Sequence, residues 1–396
     1  MPRKATRKGF LPGGYMALLV AVDLLFLLVA VSGCAVKDEV HPAIRLLPKA
    51  WDGYVRAFIQ PDGRVHRPSH NGDTVSEGQA YALLMACLLE DRKTFDAVMD
   101  WTENHLSRKE QFGDHLLAWH WENGQGVTDW NSASDADVDY ALALILAHRK
   151  WGDGTYLDKA QLVLADILRL ETVVVDGKTY LLPGTWGYDN GSYVINPSYF
   201  SPAHFRIFAA LTGDARWLDL IEGSYHIILT VSRRFVGKTG VGLVPDWIAI
   251  GPDGNVTSPK GFSDRFGWDA IRIPWRFGLD HFWFEEDPAK QYMHTLVHFY
   301  VGQWMKENGK FYVEYSYEGD PIQTYESPAA YAMSVAAFAA VESPLLNDVL
   351  IKIQESYDDE SSAFHAKDNY YENSLTLLGL VFLKNATLKS IDRRPS

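Results

Sequence analysis

Three acidic helix entrances carry the side chains of this sequence that could move protons. In Thr74-Val-Ser-Glu77-Gly-Gln-Ala-Tyr-Ala-Leu-Leu-Met-Ala-Cys-Leu88, Glu77 falls in the first turn of a helix. Ala80, Tyr81, Leu83, Leu84, Cys87 and Leu88 recur there at helical spacing, so the helix buries its flank. Thr74 and Glu77 also have the spacing of a capping box, which would occupy both side chains with free N–H groups. In Asn131-Ser-Ala-Ser-Asp135-Ala-Asp137-Val-Asp139-Tyr140, three carboxylates at alternate positions precede an apolar helix. Complementing the helix dipole explains one or two of them, not a mutually repelling set of three. No glycine-containing calcium loop is present, so no metal is expected. In Phe266-Gly-Trp-Asp269-Ala-Ile-Arg272-Ile-Pro-Trp275-Arg276, Asp269 and Arg272 are one turn apart. An ion pair is the simple explanation. The same arginine would keep the carboxylate charged at neutral pH, as a general base must be.

The elements that must position these acids are mostly helical and come in pairs. Helices are predicted over 41–59, 74–88 (with Thr74 as its cap), 93–106, 134–151, 156–170, 201–211, 215–234, 269–279, 288–306, 327–341, 344–357 and 370–383. Hairpins fit 173–182, turning at Asp176-Gly177, and 310–317. About twelve helices in six pairs, without a second composition regime, predict an all-α fold: one domain over 41–387 in a closed double ring, with small hairpins in its loops. The polar stretch 388–396 reads as a flexible tail.

Composition narrows the partners. The 396 residues are 47% hydrophobic with 13 Trp, 20 Tyr and 19 Phe, which exceeds what a core needs and fits flat apolar ligands such as sugar rings. A formal charge of -13 argues against nucleic acid. Arg3, Lys4, Arg7 and Lys8 precede an apolar run over 15–31, interrupted by Asp23. This reads as a signal peptide over 1–33. Val31-Ser-Gly-Cys34 resembles the lipobox of bacterial lipoproteins, which implies a lipid on Cys34 and a short tether over 34–40. An uncleaved membrane anchor is the alternative. Ala35, by resemblance to enterobacterial lipoprotein sorting, implies the outer membrane, where a periplasm-facing position is expected and a surface-exposed one is the alternative. Cys87, on an apolar helix, reads as a core thiol.

The acidic segments also carry a family resemblance. Asn131 to Trp151 is similar to the signature segment of glycoside hydrolase family 8, Ser76-Glu77-Gly-Gln-Ala-Tyr81 resembles its general-acid segment, and Trp268-Asp269-Ala-Ile-Arg272 resembles its catalytic-base segment. Asn196-Pro-Ser-Tyr199-Phe-Ser-Pro202 and Leu117-Ala-Trp119-His-Trp121 are similar to cleft segments. The five occur in the family's order, within a likeness spanning about Trp51 to Leu383. Tyr140 departs from the usual Ile or Met, which touches packing and not chemistry. The stretch Trp51 to Val65 is most similar to endoglucanases encoded with bacterial cellulose synthases.

The resemblance implies an (α/α)6 barrel and hydrolysis of β-1,4-glucan with inversion, without a cofactor. Glu77 would be the general acid, Asp269 the base oriented by Arg272, and Asp135 a sugar-gripping neighbour whose charge raises the Glu77 pKa. Tyr199 would bond near the attacking water or the distorted ring, and Trp119 would stack on the sugar. Trp186, singled out by composition and not by a motif, is a second stacking candidate, and Tyr370 and Tyr371 either line the cleft or pack in the core. The implied partners are the glucan, the membrane through Cys34, and exopolysaccharide synthesis machinery. Xylan, chitosan or mixed-linkage glucan are alternative substrates. A non-catalytic polysaccharide-binding lipoprotein is the alternative from another class, against which the retained acid set speaks. A lyase or terpene cyclase fits the helix count alone.

Overall fold

Helices alternate between two kinds along the chain. The computed structural model describes residues 40–392, with side chains described as far as 385, and contains twelve helices of ten or more residues among them. They are α1 (Leu47–Phe58), α2 (Ser76–Leu88), α3 (Arg92–His105), α4 (Ser134–Trp151), α5 (Gly154–Leu170) and α6 (Pro202–Thr212). The second half contributes α7 (Arg216–Val231), α8 (Ile273–Phe284), α9 (Asp287–Lys306), α10 (Pro328–Ala340), α11 (Leu346–Glu355) and α12 (Tyr370–Asp392). The odd-numbered helices each bury one stripe, such as Leu47, Trp51, Tyr54 and Phe58 of α1. The even-numbered helices α2, α4, α8 and α10 are buried nearly all round. A helix apolar on every side must be enclosed by others. The even helices therefore form an inner ring and the odd ones an outer ring, the expected (α/α)6 barrel.

Along the inner ring, α2 packs on α4, α6 on α8, α8 on α10, and α10 on α12, which returns to α2. Between α4 and α6, His204 of α6 lies 3.5 Å from Asp139 of α4, and Asp139 is paired with Arg276 of α8. The N-terminal helix α1 packs on α12. Local chemistry sets the ends: Asp91, Asp153 and Ser327 cap α3, α5 and α10 through side-chain oxygens, and Pro opens α6 and α10.

The hairpin over 172–181 forms as expected, with Asp176 and Gly177 both at positive φ in its turn. The second expected hairpin does not. Residues 310–317 contain only Tyr315, bridged singly to Phe266 and to Pro321, in place of a ladder. Pro321 has no N–H with which to extend one. The last helix also differs, since its backbone continues to Asp392 and makes 388–392 helical where a tail was expected. Residues 1–39 and 393–396, including the expected signal peptide, Cys34 and most of the tether, lie outside the described residues. Cys87 is buried, and burial pushes its thiol up to about 12. No helix among the described residues is long and apolar enough to cross a membrane.

Candidate active site

The N-terminal ends of inner helices meet at one end of the barrel, where Glu77, Asp135 and Asp269 surround a single guanidinium. The capping box is not made. Thr74 belongs to a two-residue strand paired with His120 and Trp121, and its hydroxyl donates to the Val65 carbonyl at 2.9 Å. The strand pulls Thr74 away from the helix, so α2 starts at Ser76 behind Val75, without a side-chain cap. Glu77 is thereby left free to face the cleft. Gly78 follows because a Cβ there would stand 2.8 Å from the Tyr370 hydroxyl.

Arg272 is 1% exposed and fully engaged. Its Nη1 donates to Glu77 Oε2 at 2.9 Å, Asp135 Oδ2 at 2.9 Å and Tyr81 Oη at 3.1 Å. Its Nη2 donates to Asp269 Oδ1 at 2.6 Å and Ser198 Oγ at 2.9 Å. The expected one-turn pair with Asp269 exists, but the arginine also reaches the other two acids. Tyr199 lies beneath it, with the guanidinium carbon 5.2 Å from the ring centroid.

The three acids of α4 coexist because each has its own partner. Asp135 takes Arg272, while Asp139 forms a bidentate pair with buried Arg276. Asp137 accepts the Leu117 N–H at 2.9 Å and faces Glu171. Burial and that mutual repulsion push Asp137 well above its ordinary value, and burial takes Glu171 to about 8. Two buried carboxyls cannot both be charged, so this pair holds a proton.

Glu77 is pushed up to about 7, first by burial and then by the charges of Asp135 and Asp269, against the pull of Arg272. Asp135 is also raised, mainly by burial. Asp269 keeps 32% of its side chain exposed and accepts a hydrogen bond from Trp247 Nε1 at 3.0 Å on its second oxygen. A carboxyl that stays protonated near neutrality thus shares one arginine with a carboxylate open to water.

These groups lie in a cleft of about 380 Å³ lined also by Arg67, His70, Trp119, Trp268, Asn369, Tyr370 and Tyr371. Of the side chains expected from sequence, Glu77, Asp135, Asp269, Arg272, Tyr199, Trp119, Tyr370 and Tyr371 are brought together here. Trp119 is 40% exposed, as a stacking surface needs to be. Trp186 is set beside these groups. It packs with Trp247 and Phe262 at ring separations of 6.0 and 6.1 Å, an aromatic group joined to the site through the Trp247–Asp269 bond.

Sequence reading missed Trp247 and Asp246. Buried Asp246 accepts the N–H groups of Gly267, Asp269 and Ala270 at 3.0, 3.1 and 2.8 Å and the Ser263 hydroxyl at 2.9 Å, fixing the backbone beneath Asp269. Burial and the Asp269 charge push it up to about 7. Arg67 was missed as well; Asp73 holds it bidentately at 2.7 and 2.5 Å at the cleft wall, with His120 on the same carboxylate. Each of these contacts joins segments that carry no periodic signal.

Residues 19–385 match the family described as Glycosyl hydrolases family 8. Over 362 residues the chain is 32% identical to Endoglucanase A of Acetivibrio thermocellus, covering 88% of this chain and 71% of that protein. It is 31% identical over 337 residues to the Endoglucanase of Escherichia coli strain K12, covering 83% and 85%. The solved endo-1,4-D-glucanase of Vibrio fischeri ES114 superposes with a TM-score of 0.73 at 26% identity, covering 85% of this chain and 94% of that one.

Proposed function

Since this chain belongs to glycosyl hydrolases family 8, we propose that it is an endo-acting glucanase cleaving β-1,4-glucan with inversion. The observation that carries the reading is the sharing of Arg272 by a raised carboxyl, Glu77, and a water-accessible carboxylate, Asp269. Glu77 gives its proton to the glycosidic oxygen as the bond from C1 to that oxygen breaks. Asp269 takes a proton from a water on the opposite face, whose oxygen bonds to C1. The new hydroxyl therefore has the opposite anomeric configuration. Inversion needs carboxyl groups ~6.5–9.5 Å apart to admit that water. Arg272 bonds Glu77 through Nη1 and Asp269 through Nη2, so the two acids take different nitrogens of one guanidinium. Asp135, fixed by the same arginine, faces the sugar at the point of cleavage. Trp119 and Tyr371 supply aromatic surface, and Tyr199 lies beside Asp269.

Product analysis tests this reading. The soluble domain lacking residues 1–34 is offered cellulose derivatives, xylan, chitosan and mixed-linkage glucan. Rapid loss of viscosity with short oligosaccharides from β-1,4-glucan is the expected result. Preferential cleavage of another polymer would move the substrate, and binding without cleavage of any would favour a scaffold.

We infer also that the chain is exported and anchored through lipidated Cys34 in the outer membrane, periplasm-facing, where it acts with exopolysaccharide synthesis machinery. The lipobox-like Val31-Ser-Gly-Cys34 behind a basic and apolar leader supports this. Cys34→Ser should release the protein from membranes; unchanged fractionation would remove the anchor.

A further inference from the structure

A second pocket of about 490 Å³ opens beside Phe112, Trp130, Asp129, Asn131 and Arg169, outside the catalytic cleft. Phe112 is 52% exposed on a four-residue helix, Lys109–Phe112, where an exposed aromatic gains nothing from the core. It is nonetheless held rigidly. Arg108, only 4% exposed, lies against its ring with the guanidinium carbon 4.5 Å from the centroid. That arginine is fixed by Asp114 through two bonds of 3.1 and 3.0 Å, and it also donates to the Trp130 carbonyl and to Thr185 Oγ1. One buried cation thus clamps three segments and an exposed ring into a preformed wall. Trp130 meets Phe112 edge-on at 6.0 Å, so two aromatics flank the pocket.

The charge of the pocket selects its ligand. Arg108 is neutralised by Asp114 and Arg169 by Asp166, at 3.0 and 2.5 Å, and Asp129 adds a further carboxylate. An anion finds no free cation here. A neutral molecule with one flat apolar face and a rim of hydroxyls fits: the rings take its face, while Asn131, Asp129 and Arg169 take its rim. A backbone bond ties the pocket's wall to that of the cleft: the Asn131 carbonyl accepts the N–H of Trp119 at 2.7 Å.

We propose that the pocket around Phe112 and Trp130 is a second, non-catalytic site for a β-linked glucan chain, which holds the polymer close to the cleft. The proposal rests on the glucanase reading for the identity of its ligand. Its test uses the full chain and two readouts, turnover of a soluble cello-oligosaccharide and retention on insoluble β-1,4-glucan. Phe112→Ala, at an exposed position, and Trp130→Ala should each weaken retention about tenfold, the scale of one lost aromatic contact. Turnover of the oligosaccharide should stay within twofold of wild type, with unchanged Tm. Wild-type retention in both variants would overturn the site, as would an equal fall in both readouts. Absence of turnover in the wild type would count against the glucanase reading alone. In that case, Phe112-dependent retention on the polymer would still establish the second site.

Discussion

Arg272 lies 2.9 Å from Glu77, yet the Glu77 carboxyl holds its proton up to about pH 7. An arginine at that distance ordinarily keeps a carboxyl charged. Here its positive charge is divided among Glu77, Asp135 and Asp269, and burial opposes ionisation at Glu77 most of all. Acid and base are thereby told apart by their surroundings, Glu77 being enclosed and Asp269 open to solvent.

A pH limit follows. Glu77 acts only while protonated, and its folded value lies above the ordinary 4.5, at about 7. Activity should therefore be lost as pH rises through about 7, with a limb of unit slope in kcat/KM. Measurement of kcat/KM from pH 4 to 9 checks this, and full activity at pH 9 would contradict the assignment of the acid.

Glu77→Gln removes the proton and keeps the shape. Turnover should fall ~10²–10⁴-fold, the usual contribution of a general acid. Oligosaccharide affinity should remain within severalfold of wild type, since Trp119, Tyr199 and Tyr371 are untouched. Calorimetric binding beside initial rates separates the two effects.

What the sequence disclosed follows a physical line. Glu77, Asp135, Asp269 and Arg272 were legible because each lies within a turn of the start of a buried helix, where periodicity marks the boundary. The double ring was legible because the helices come as six pairs in one composition regime, whereas which member of each pair lies inside shows only in the burial of the folded chain. The Thr74 capping box misled, since the spacing cannot show that Thr74 pairs with Trp121 in a strand and gives its hydroxyl to the Val65 carbonyl. Asp246 and Trp247 were illegible because their roles depend on a loop folding back 21 to 24 residues to the Asp269 segment. The Asp137–Glu171 pair was hidden likewise; neither residue is unusual until burial brings them together.

Inversion is a stereochemical prediction. NMR of the first product from a β-linked oligosaccharide should show the α-anomer before mutarotation. An initial β-anomer would require a covalent intermediate and exclude Asp269 as a base acting through water. Asp269→Asn should lower turnover ~10²–10⁴-fold. Trp247→Phe, which removes the 3.0 Å bond to Asp269 and keeps an aromatic ring against Trp186 and Phe262, should cost far less.

The buried Asp137–Glu171 pair gives stability its own pH dependence. Glu171 is raised from 4.5 to about 8, so between those values the folded chain binds more protons than the unfolded one. By linkage, its contribution is full below pH 4.5 and is lost as pH rises through about 8. Tm should decline from pH 6 to 9. Glu171→Gln should flatten that decline, since the amide can accept from Ser132 and donate to Asp137 without titrating. An equally steep decline in the variant would assign the effect to other groups, among them Glu77 and Asp246, both raised to about 7.

Asp246 offers the sharpest test of how the base is held. Its Oδ1 gathers the N–H groups of Gly267, Asp269 and Ala270, and its Oδ2 takes the Ser263 hydroxyl. Gly267 is required at that approach, because a Cβ would stand 2.7 Å from Oδ2. Asp246→Ala leaves three buried donors without an acceptor, a loss of about 1–3 kcal/mol for each group left unsatisfied. The backbone carrying Asp269 then shifts, and a displacement near 1 Å lowers turnover by roughly 10²-fold. Asp246→Asn keeps one oxygen for the three N–H groups and turns its amide to Ser263, which can accept. The expected pattern is a large fall in kcat for the alanine variant with KM within twofold, and substantial recovery in the asparagine variant. Equal activity in all three proteins would show that the Asp269 segment is held without Asp246. A rise in KM at constant kcat would place Asp246 in substrate binding instead of in orienting the base.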